Sequence, residues 1–128
     1  MNTLRNVGVA ARIGTYCDAV EVAPGARWLV TAGTPGVSSA DGSMPADFAA
    51  QAALAWENVL RILGESDMGV QDIVKVTQYL LRRSDLDAYR PIRTRFLGDA
   101  RPASMLSFVS ELVWPGMLIE IEVVAAKI

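Results

Sequence analysis

An α+β domain, with two helices covering one face of a mixed sheet, follows from the way the apolar period shifts along this 128-residue chain. Apolar residues fall at helical spacing between Asp47 and Leu63 and again beyond Ser84. Arg27–Ala32, Asp72–Leu81, Ala103–Val109 and Met117–Ala126 instead alternate or are rich in β-branched and aromatic residues. The resulting order is hairpin, helix, strand, helix, strand, strand, which assembles as a two-layer structure. Residues 1–128 make one domain, long enough for a single modest core.

The elements can be justified in turn. Ala19–Glu21 and Arg27–Ala32 flank Ala23-Pro24-Gly25-Ala26, a Pro-Gly turn, and so read as a hairpin. Gly33 to Pro45 is breaker-rich and polar, a surface loop. Phe48, Ala52, Ala55, Val59, Ile62 and Leu63 form the stripe of a first helix, with Asp47 and Gly64 as boundary signals and Trp56 and Leu60 packed at its border. Ser84 or Asp85 starts a second helix that presents Leu86, Tyr89, Ile92, Arg93 and Phe96, carries Pro91 inside it and ends at Gly98. The last strand places Leu118, Glu120, Glu122 and Val124 on one face and Ile119, Ile121, Val123 and Ala125 on the other. With both helices on one side, the opposite face stays bare in a single chain, which predicts self-association through the sheet.

Composition agrees and excludes several functions. Apolar residues reach 52% and charged residues only 20%, a balance that favours an oligomer with apolar interfaces. Net charge is −2, and the densest cationic cluster (Arg90, Arg93, Arg95, Arg101) is broken by Pro91 and Gly98. No electropositive stripe is present, so nucleic acid is not an expected partner. No run approaches membrane-spanning length and no signal pattern opens the chain, making a cytoplasmic location the expectation. Histidine is absent, which removes imidazole catalysis and His-based metal sites; no metal or cofactor is expected. Cys17 is the sole cysteine and, lacking a histidine partner, reads as a packed thiol.

Four segments carry a resemblance: Ile13-Gly14-Thr15-Tyr16, Val30-Thr31-Ala32-Gly33, Arg101-Pro102-Ala103-Ser104 and Leu118-Ile119-Glu120-Ile121-Glu122. Together they resemble the Rid (YjgF-type) family of deaminases acting on enamines and imines of amino acids. The resemblance spans about Ile13 to Ala125 and implies the trimeric, chorismate-mutase-like arrangement, with pockets between the subunits of a homotrimer. It further implies that Glu120 orients the attacking water and that Tyr16 hydrogen-bonds the substrate. Gly33 and Thr34 shape the pocket, although Thr34 stands where glutamine is common and Thr15 where proline is.

Ser104 departs from the pattern. Deaminating members of the family carry arginine there, holding the substrate carboxylate; a hydroxyl is neutral. Arg90 and Arg93 stand near positions that the family gives to asparagine and tyrosine, and one of them is expected to supply a relocated cation. Removing a buried ion-pair partner costs about 2–5 kcal/mol, a thirtyfold to several-thousandfold loss for a small carboxylate substrate. The expected activity is therefore hydrolysis of an enamine, imine or related intermediate other than aminoacrylate. Two alternatives stay open: a non-catalytic trimer that binds a small-molecule metabolite, and isomerisation or ring-opening hydrolysis in the same pocket.

Overall fold

The computed structural model describes all residues, 1–128. Its strands are β1 (Thr3–Arg5), β2 (Ala19–Glu21), β3 (Arg27–Val30), β4 (Thr34–Pro35), β5 (Ile73–Leu80), β6 (Ala103–Phe108) and β7 (Ile119–Lys127). The two helices are α1 (Phe48–Glu65) and α2 (Leu86–Leu97).

Both helices have visible sequence causes. Asp47 caps α1 by accepting the Ala50 amide at 3.0 Å, satisfying a donor that the first turn leaves free. The helix runs past Gly64 to Glu65, slightly beyond the expected boundary. Its stripe is buried apart from Ile62, which is half-buried, and Trp56 is fully enclosed rather than at the border. Asp85 precedes α2, but its carboxylate binds Arg82 at 2.8 Å and does not cap the helix amides. Gly98 ends α2 at φ +57, backbone that favours glycine. Pro91 lies on the exposed side of α2 and withholds the amide that the Asp87 carbonyl would otherwise receive.

The main sheet runs β3-β7-β5-β6, with β4 also pairing with β7. β5 and β6 are parallel and the other pairs antiparallel, so the sheet is mixed. The expected hairpin does not form. Ala26 does close a turn on Ala23 (3.3 Å), but the two flanking strands then enter different sheets. β2 pairs with β1 through Leu4↔Val20, and β3 pairs with β7 through Trp28↔Ala126. Asn2 helps fix the crossing: its side chain accepts the Ala23 amide at 3.1 Å and donates to the Ala126 carbonyl at 2.9 Å.

The alternation in β7 holds. Ile119, Ile121, Val123 and Ala125 are buried beneath the helices with Val76 and Leu80. Glu120, Glu122 and Val124 lie on the uncovered face, in register with Tyr79, Thr77 and Lys75 of β5. Trp28, Val30 and Met105 share that face and are 59%, 71% and 52% exposed.

Candidate active site

One group of expected residues assembles at the β6 edge, where α2 overhangs the sheet. The Cys17 amide donates to the Pro102 carbonyl at 3.3 Å and Cys17 bridges Ala103, which sets Tyr16 beside Ser104. Asp18 anchors the approach by accepting the amides of Val7 (2.7 Å), Gly8 (3.1 Å) and Ala10 (2.7 Å). Those donors, Val7 foremost, hold its carboxyl below the usual carboxylate range. Gly14 passes close under the Tyr16 ring, where a Cβ would stand 3.3 Å from a ring carbon. The result is a concavity of about 320 Å³ lined by Tyr16, Ser104, Arg90 and Arg93, with Leu86 and Leu106 as apolar walls. Cys17 is no part of it: the thiol is buried, donates to the Ala19 carbonyl at 3.3 Å, and has its pKa raised by burial.

Behind Ser104 runs a buried polar chain. The Trp56 indole N–H donates to the Tyr89 hydroxyl (3.2 Å), which donates to Gln78 Oε1 (2.7 Å). Gln78 Nε2 donates to the Met105 carbonyl (2.9 Å) and to Ser104 Oγ (3.0 Å). Trp56, Tyr89 and Gln78 are entirely enclosed. Burial pushes the Tyr89 phenol well above its ordinary value, keeping it a neutral donor. Arg93 is half-buried, lies 5.9 Å over the Tyr89 ring, and has no part in the four ion pairs of the chain. Arg90 is exposed and loosely paired with Asp87 at 3.7 Å.

The second group lies on the other side of the sheet. Between Val30↔Val124 and Thr34↔Ile121 the chain carries one residue more than β7 does, a bulge that contains Gly33. A Cβ on Gly33 would stand 2.0 Å from Glu120 Oε1, so the glycine is needed for space and lets the carboxylate fold over the backbone. Glu120 is half-buried and pairs with no cation. Glu122, two residues on, accepts the Tyr79 hydroxyl at 3.5 Å. Thr34 is buried on the helix-covered side with its hydroxyl donated to the Ala32 carbonyl at 3.1 Å, and so backs this group without facing Glu120.

The two groups do not meet within one chain. Glu120 is in register with Tyr79 and, through it, with Ser107. Ser104 is two strands away and three residues along, and that odd offset turns it to the opposite face. Two strand spacings and three residues place the two backbones about 14 Å apart. Each chain thus presents two separate groups of candidate residues, one with a hydroxyl, a phenol and two guanidiniums, the other with an unpaired carboxylate.

A family model described as endoribonuclease L-PSP matches residues 9–127. This chain belongs to that family, the YjgF/Rid proteins. A RutC family protein of Pyrococcus abyssi is 30% identical over 116 residues, 90% of this chain and 88% of its own length. A 2-iminobutanoate/2-iminopropanoate deaminase of Escherichia coli is 29% identical over 128 residues, 98% and 97% of the two chains. Among solved structures, the Rid-family protein YyfB of Yersinia pestis superimposes with a TM-score of 0.85 at 23% identity, covering 98% of each chain, which speaks to the fold alone. Escherichia coli TdcF, solved with bound serine, gives 0.75 at 28% identity over 91% of each chain.

For a Rid protein, the residues that the sequence did not point to are those behind the site. Gln78 stands between Val76 and Leu80 on the buried face of β5, and a lone amide at an apolar position of an alternating strand was the signal available. Tyr89 and Trp56 read as packing residues, yet their polar atoms are what satisfy Gln78. Asp18 gave no local sign, because the amides it collects come from a segment eight to eleven residues earlier.

Proposed function

We propose that this Rid protein hydrolyses an imine or enamine at a site built by two copies of the chain, within a homotrimer. One copy contributes Tyr16, Ser104, Arg90 and Arg93; the neighbour contributes Glu120 and Gly33, with Thr34 behind them. The observation carrying this reading is the separation of the two groups within one chain, Ser104 and Tyr16 at the β6 edge under α2 and Glu120 on the uncovered face of the sheet, so that neither is complete alone. The family model and the deaminase-named relative support the reaction class.

Chemically, water adds to the C=N carbon, the carbinolamine loses ammonia, and a carbonyl product remains. Glu120, free of cations, orients the water, takes its proton and returns it to the nitrogen that leaves as ammonia, the task suited to an unpaired carboxylate where no imidazole exists. Tyr16 and Ser104 offer hydroxyl donors to the substrate. Arg93 supplies positive charge at the rim, in place of a guanidinium at position 104. A neutral hydroxyl at the floor and apolar walls at Leu86 and Leu106 fit a substrate less dependent on its carboxylate than 2-aminoacrylate, with a larger substituent.

Subunit complementation tests the shared site. Glu120→Gln and Tyr16→Phe each disable one half-site; co-refolded in equal amounts, they regain about a quarter of wild-type turnover, since a mixed trimer rebuilds one site in three. Equal loss in the mixture and in the separate variants would contradict the shared site.

A further inference from the structure

We infer that Gln78 is a positioning residue that fixes the direction of the Ser104 hydroxyl, so that Ser104 donates its proton to an acceptor on the substrate, such as a carbonyl or carboxylate oxygen. This deepens the proposed function and rests on the concavity at Tyr16 and Ser104 being part of the substrate site.

The polarity of the buried chain is set at both ends by groups with only one capability. An indole N–H can only donate, so the Tyr89 oxygen accepts from Trp56 and its own proton goes to Gln78 Oε1. A backbone carbonyl can only accept, so the Gln78 atom facing Met105 is the amide nitrogen. The second proton of that nitrogen points at Ser104 Oγ, 3.0 Å away, and an amide nitrogen accepts nothing in return. The Ser104 proton therefore cannot point inward. It is directed into the concavity that Ser104 shares with Tyr16 and Arg93. Hydrogen bonds in such a chain polarise one another, which makes the last donor a better one than an isolated serine. The enclosure of all three supporting residues keeps water from reversing the arrangement.

The test is a double-mutant cycle read by NMR titration with 2-oxobutanoate, a stable keto acid that carries only acceptor groups. Ser104→Ala weakens binding about threefold to tenfold, the worth of one hydrogen bond. Gln78→Glu keeps the acceptor for Tyr89 but removes the donor to Ser104, turning the serine proton inward; it produces the same loss in the wild type and no further loss in the Ser104→Ala background. Should Gln78→Glu fold poorly, Gln78→Met serves in the same cycle, with the coupling to Ser104 as the readout. Equal losses from the Gln78 change with and without Ser104 would overturn the positioning role while leaving the site intact. No binding by the wild type, or no effect of Ser104→Ala, would overturn the site reading and this inference with it.

Discussion

Replacing Gly33 by alanine is a sharp probe of Glu120, because the structure fixes how far the carboxylate must travel. The added Cβ would lie 2.0 Å from Glu120 Oε1 and 2.9 Å from Cδ. A contact must open to beyond 3.0 Å to be tolerated, so Oε1 moves by at least 1 Å. Misplacing a reacting group by about 1 Å costs on the order of a hundredfold in rate. Stability behaves differently. The obstacle is the end of a flexible side chain, and re-aiming it costs about 1 kcal/mol, offset by the 0.4–1 kcal/mol that alanine gains over glycine through the unfolded state. The expected result is a Tm within about 4 °C of wild type, with kcat/KM for 2-iminobutanoate reduced about a hundredfold. Combined with Glu120→Gln, the substitution should add no further loss. Unchanged kcat/KM, or losses that simply add, would show that Gly33 and Glu120 do not act as one unit.

Further outcomes follow from the same contacts. Tyr89→Phe strands the Trp56 N–H and Gln78 Oε1 in the core and should cost about 2–4 kcal/mol by urea unfolding. Because the folded phenol titrates above its ordinary 10.0, its contribution is complete below that pH and is lost above it as the unfolded chain ionises first. Wild type should therefore lose stability from about pH 10 upward, and Tyr89→Phe should lack that part of the slope. Asp18 has the opposite sign: its lowered pKa means that its hold on Val7, Gly8 and Ala10 is present above 3.8 and lost as the pH falls through the folded value. Asp18→Ala should speed amide exchange at Val7 and Ala10 about tenfold, leaving β5 protected. Arg93→Met should weaken 2-oxobutanoate binding about tenfold, with no effect marking the guanidinium as a solvated charge.

How much was legible follows from which interactions are local. α1, α2 and the alternation of β7 were written in apolar spacing; the buried faces of α1 and β7 match it, while on α2 only Tyr89 of the expected side is fully buried. The open face of the sheet could be read the same way, because period two assigns Glu120 and Glu122 to one side without knowledge of partners. Pairing was not local. Pro24-Gly25 signals a turn, but nothing near it reveals that β2 joins β1 while β3 joins β7. The site divides likewise. Tyr16, Ser104, Arg90 and Arg93 were expected together and line one concavity. Glu120 and Gly33 were expected in the same pocket and touch each other, yet within one chain they lie on the far side of the sheet from Ser104. Thr34 was expected to face the pocket and instead turns inward, since alternation next to Gly33 and pairing with Ile121 send it to the covered face. The chain behind Ser104 escaped notice because its members, separated by up to 48 positions between Trp56 and Ser104, look individually like packing residues.

Neutral Ser104, where the family resemblance places a carboxylate-binding arginine, is proposed to set the substrate range of this Rid protein. The measurement that bears on this most directly is turnover of freshly generated 2-iminobutanoate by wild type and by Ser104→Arg. Slow turnover by the wild type is expected, with a gain of at least about thirtyfold in the variant, the effect of restoring a buried ion-pair partner. Wild-type turnover equal to or faster than that of Ser104→Arg would contradict it.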